Sequence, residues 1–211
     1  MQRKVFDRLA STTGAIVVVV LLVAGALLTW GHSYVNDQVR SQLAMQQIYF
    51  PKAAVWATAT KNNTGEIQAR MIPYLKQYSG QQLLTGPQAE AYANHFIADH
   101  LANMPYGGVY SKVSAAAMAA KPGSTQQKTL QGLETTVFQG TTLRGLLLEA
   151  YGFWKVGQVM LWGAIASFIL AVITALLVAA GFRHAARTPE EIEVFTDKFT
   201  GEKTRETVPV A

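Results

Sequence analysis

Hydrophobic and polar positions divide the chain into two long apolar runs with a patterned, more polar stretch between them. Leu9 to Asn36 contains no Asp, Glu, Lys or Arg, and its centre, Gly14 to Trp30, reads GAIVVVVLLVAGALLTW. A membrane-crossing helix needs roughly 20 such residues. Val156 to Phe182 is a second run without a formal charge. The rival reading of the first run is a cleaved signal peptide, because Arg3, Lys4 and Arg8 precede it and Ala24-Gly25-Ala26 offers small residues for cleavage. The apolar run continues past that point through LLTW, which favours a retained helix. The pattern predicts transmembrane helices at 9–31 and 156–182, a domain of residues 32–155 between them, and end segments of residues 1–8 and 183–211.

The stretch between the runs carries helical spacing. Val35, Val39 and Leu43 extend the first helix outward as a stalk as far as Pro51, whose ring disfavours helix in the residue before it. Pro73 and the Asn62-Asn63-Thr64-Gly65 cluster break residues 51–86 into fragments and loops. Thr85 with Gln88 forms a capping box, so a helix is expected from about Gly86 to Asn103, with Ala89, Tyr92, Phe96, Ile97 and Leu101 on its apolar face. A short helix over Tyr110 to Ala120 stops at Pro122-Gly123. Ser124 with Gln127 caps the next helix, Gly140 is expected to stop it, and Thr141 or Thr142 to cap a last one running into the second span. The predicted class is an all-α membrane protein with a mostly helical extracytoplasmic domain.

Composition agrees with this division. Of the residues 50% are hydrophobic and 15% charged, against about 25% charged in soluble domains. The net charge of +5 is spread as +2 over residues 1–30, +4 over 31–155, 0 over 156–182 and −1 over 183–211. No segment is basic enough to hold a phosphate backbone, and no nucleic-acid partner is expected. Arg3, Lys4 and Arg8 before the first span, and Arg183 and Arg187 after the second, predict a cytoplasmic location for both termini. Trp30, Tyr34, Tyr151, Trp154 and Trp162 would form an aromatic belt at the outer surface of the cell membrane. The absence of cysteine excludes disulfides, thiolate metal sites and cysteine nucleophiles.

The segments GQQLLTGPQAEAYANHFIADHL at 80–101 and VFQGTTLRGLLLEAYGFWKVGQ at 137–158 resemble a group of uncharacterised two-span membrane proteins common in actinobacteria. The resemblance covers roughly residues 10 to 187. It implies an actinobacterial envelope and the same hairpin topology, and it carries over no activity, cofactor or catalytic residue.

Candidate chemistry is sparse. His95 and Asp99 share a helix face, but His100 is directed elsewhere and the His-Glu-x-x-His zinc spacing is missing. No nucleophile elbow, paired carboxylates or phosphate loop occurs, so no catalytic, cofactor or metal residue is assigned. Neither span contains an ionisable residue, which argues against a channel or pump acting alone. Arg144 and Glu149, in the turn before the second span, are candidate partner contacts or simply solvated interface residues. Gly163, Ser167, Ala171, Ala175 and Ala179 recur every four residues and are candidates for close helix packing; the alternative is that small residues are merely frequent in membrane helices. Thr188-Pro189-Glu190-Glu191 has the capping-box spacing, and the tail after it is either disordered or ordered by a cytoplasmic partner. These features predict a non-catalytic accessory or assembly subunit of a cell-envelope membrane complex, embedded in the bilayer beside a protein partner. The alternative is an extracytoplasmic sensor or ligand-binding membrane protein.

Overall fold

A computed structural model describes residues 3–59 and 67–187. The Asn62 to Gly65 cluster and the tail from Thr188 lie outside the described residues. Among the described residues seven α-helices follow in order: α1 (Arg3–Met45), α2 (Ala53–Ala59), α3 (Ile72–Leu75, flanked by single 3₁₀ turns), α4 (Gly86–Tyr92), α5 (Ala98–Ala102), α6 (Tyr110–Ala119) and α7 (Thr125–Arg187). Among the described residues there is no strand, only an isolated antiparallel bridge between Tyr49 and Gln82. The chain folds as two compact units, one holding the described residues up to Leu27 and from Gly163 onward, the other Leu28–Trp162.

The first unit consists of one end each of α1 and α7, packed antiparallel. On α1 the shielded positions include the series Asp7, Ser11, Gly14, Val18, Leu21 and Gly25, with Ala15 and Ala24 beside it; on α7 they include the series Ala164, Ser167, Ala171, Thr174, Val178, Gly181 and Ala185, with Gly163 beside it. Both series step alternately by three and four, the seven-residue period of a left-handed helix pair. Glycine lets the backbones approach: a Cβ built on Gly14 would lie 2.6 Å from Val178 Cγ2, one on Gly25 2.8 Å from Phe168 Cε1, and one on Gly181 would collide with Ser11 Oγ. At the far end Asp7 Oδ2 lies 3.7 Å from His184 Nε2. The remaining faces carry exposed Val, Ile and Leu, and only 6% of the most apolar window of each helix is buried. Both helices are thus long and apolar enough to cross a membrane, and their apolar side chains point outward rather than into a core.

The second unit has a core of the usual soluble kind. Phe50, Trp56, Met71, Leu75 and Leu83 are sealed beneath α4, together with Ala89, Ala93, Ile97 and Leu101, and they pack on Val39 and Leu43 of α1 and Leu147 of α7. The chain enters this core through two extended segments joined by Phe50 N–H to Gln81 O (2.9 Å) and Leu83 N–H to Ile48 O (2.8 Å). The Thr85 cap forms as expected: Gln88 N–H donates to Thr85 Oγ1 (3.4 Å), while Leu84 and Thr85 N–H donate to Gln88 Oε1 (2.8 and 3.0 Å). The Ser124 cap forms as well, with Gln127 N–H donating to Ser124 Oγ at 3.2 Å.

Three local expectations are corrected. First, α1 stops at Met45, before Pro51, because Gln47 turns into the left-handed region at φ 53°. Second, α4 and α5 are joined by a single π turn, Ala93–Ile97, instead of one uniform α-helix. Ala93 and Ile97, at the two ends of that turn, are both buried. Third, Gly140 does not stop a helix, since α7 runs unbroken from Thr125 to Arg187. Gly140 is a packing residue instead, because a Cβ there would stand 2.9 Å from Leu101 Cδ2.

Candidate functional site

Within the second unit, an open groove of about 450 Å³ lies between α1 and α7. Val35, Val39 and Leu43 from α1 and Leu147 from α7 form its floor, the same residues that close the core beneath. Along the α1 edge Gln38, Gln42 and Gln46 recur once per turn, and the α7 edge carries Leu143, Leu146, Glu149, Ala150 and Phe153. Tyr34, Leu146 and Phe153 are 53%, 57% and 54% exposed. Large apolar side chains therefore stand open along one channel. Glu149 supplies the only formal charge in the lining and has no cation paired with it among the described residues.

The other residues singled out from sequence have separate positions. Arg144, half-buried, donates from Nη2 to Asn94 Oδ1 (2.9 Å), and Asn94 Nδ2 donates to Glu90 Oε1 (2.8 Å), so it ties α7 to α4 and the π turn. Its Nε is buried without a hydrogen-bond partner. Arg144 and Glu149 are thus not brought together. His95 stacks on Tyr74 with ring centroids 3.5 Å apart, Asp99 pairs with Arg70 at 3.1 Å, and His100 Nδ1 lies 2.7 Å from Phe96 O. Among the described residues no group of three His, Asp or Glu stands close enough to hold a metal ion. Of the four-residue stripe, Ala171 is buried, Gly163 and Ser167 are half-buried, and Ala175 and Ala179 are exposed.

The aromatic residues divide in a way sequence does not reveal. Trp30, stacked on Tyr34, and Trp162 are exposed, whereas Trp154 packs where a Cβ on Gly86 would collide with it. Lys155 Nζ lies 5.5 Å from the ring centres of both Tyr151 and Trp154. Sequence reading also missed a polar link between α1 and α7 in the second unit: His32 Nδ1 lies 2.8 Å from Gly157 O, and Asn36 Nδ2 stands 3.0 Å from His32 Nε2. The four-residue spacing of His32 and Asn36 on one helix face was its only local signal. No family model, curated protein or solved structure matches the chain.

Proposed function

We propose that the chain is a non-catalytic accessory or assembly subunit of a cell-envelope membrane complex, anchored by two spans, with both termini in the cytoplasm and residues 32–155 outside. The observation that carries this reading is the uncovered groove between α1 and α7, where Tyr34, Leu146 and Phe153 stay exposed although the core directly beneath them is sealed. Apolar side chains in such a channel gain by being covered, at about 25 cal/mol per Å². A second reading, a sensor or ligand-binding membrane protein, draws on the groove's volume, which falls in the roughly 300–1,000 Å³ range of small-molecule sites.

Native electrophoresis of membranes solubilised in mild detergent tests the first reading. The chain is expected to migrate in an assembly well above its own 22.9 kDa, and Leu146→Gln with Phe153→Gln to release it. A wild-type chain migrating alone with a bound small molecule would favour the second. The topology has its own test, since the sequence has no cysteine: Ser124→Cys is expected to react with a membrane-impermeant maleimide in intact cells.

A further inference from the structure

We infer that the α1–α7 groove receives a single helix from another membrane subunit, apolar along one stripe and carrying a lysine or arginine that meets Glu149. This rests on the accessory-subunit reading and names the partner's chemistry. On α1 the floor residues Val35, Val39 and Leu43 form a short i, i+4 row, beside which a ridge of side chains from a third helix can lie. From Tyr34 to Met45 the α1 edge advances about 16 Å at roughly 1.5 Å per residue, room for about three turns of a partner.

Charge selects among occupants. The one formal charge in the lining is the Glu149 carboxylate. Arg144 is bonded to Asn94 and Lys155 lies against Tyr151 and Trp154, leaving the carboxylate to an incoming cation. An acyl chain would cover the glutamine row and the carboxylate without offering either a hydrogen bond, which leaves polar groups poorly satisfied. A helix with polar residues every fourth position can pair with Gln38 and Gln42 while its apolar stripe fills the floor. The groove starts at Tyr34, one turn beyond Trp30 on α1, at the end of the apolar run.

The test uses the full-length chain in its native membrane, with a photo-crosslinking amino acid at Gln42 or Phe153 and mass spectrometry of the joined peptides. The expected product is one peptide from another chain, helical in pattern, with a lysine or arginine in the joined turn. Glu149→Lys is expected to lower the yield about tenfold, as for loss of an interfacial charge pair, and reversal of the partner's basic residue to glutamate is expected to restore it. Glu149→Gln, with an intermediate yield, guards against misfolding of the reversed variant. Products joined only to lipid, only to a second copy of this chain, or to nothing would overturn the inference. A partner crosslink indifferent to Glu149 would also overturn it. Under any of those outcomes, an assembly that persists on native electrophoresis leaves the accessory-subunit reading standing, whereas its absence removes both.

Discussion

α1 and α7 are packed by opposite means in the two units. In the first unit Gly14, Gly25 and Gly181 of one helix meet Val178, Phe168 and Ser11 of the other, Ala171 is buried, and most of the remaining large side chains are exposed. In the second, Val39, Leu43 and Leu147 point inward and are 7%, 4% and 2% exposed. The two modes are those expected of helices in lipid and in water. Among lipid tails a leucine gains little by leaving its surroundings, so association depends on close backbone approach. In water the gain comes from area removed, and large side chains supply it.

The contrast breaks first if burial in the second unit is not the main source of its stability. Leu83, fully buried, is expected to cost about 2–5 kcal/mol when cut to alanine. Leu176, 67% exposed in the first unit, should cost under about 0.5 kcal/mol for the same change, as for surface positions away from special features. Denaturation in detergent micelles followed by circular dichroism would compare them, and equal losses would mean that the first unit is packed like a soluble core. Next in size is Ala171→Leu, which forces a large side chain into the glycine-lined seam. It is expected to cost about 1–3 kcal/mol and to abolish disulfide formation between Gly14→Cys and Val178→Cys.

What could be read in advance was local. The Thr85 and Ser124 caps were legible because each joins residues three apart, and the two apolar runs because their signal is composition alone. Gly140 was misread as a stop because its reason for being glycine, Leu101, lies in another helix. Arg144 likewise bonds Asn94, fifty positions away, so sequence could name the residue and not its partner. The groove needs residues 34–46 and 143–153 side by side, and no local pattern brings those segments together. Charge, hydropathy and spacing report what a residue is; the seam and the groove depend on what faces it.

Two smaller effects sharpen the account of the second unit. Asn94→Ala would leave the half-buried Arg144 without its acceptor, in addition to an Nε that already has none. The expected loss is about 1–3 kcal/mol, and Asn94→Gln should not rescue it, because the longer side chain cannot hold both Arg144 and Glu90 in the same geometry. Thr85→Ala removes the acceptor for Gln88 N–H and is expected to cost about 1 kcal/mol, with Thr85→Ser restoring most of it. Both are measured by thermal melting, and an Asn94 effect smaller than the cap's would mean that Arg144 is solvated.

The smallest expected effect discriminates most between the two periods. A four-residue repeat on an α-helix turns by about 40° at each step, so a stripe from Gly163 to Ala179 leaves any fixed neighbour within a few turns. A seven-residue repeat drifts only about 20° per heptad, and modest supercoiling absorbs it. Ala164, Ala171, Val178 and Ala185 follow the second rule and are shielded; Ala175 and Ala179, which complete the first, are exposed. Ala175→Leu with Ala179→Leu should therefore leave the Gly14→Cys, Val178→Cys disulfide at its original yield, because the added side chains enter surroundings as apolar as themselves. Should the pair instead reduce it as far as Ala171→Leu does, the close contact follows the four-residue stripe, and the assignment of the seam to glycines 14, 25 and 181 fails. Loss of native assembly with the disulfide intact would place a second protein against that outer face of α7, separate from the groove.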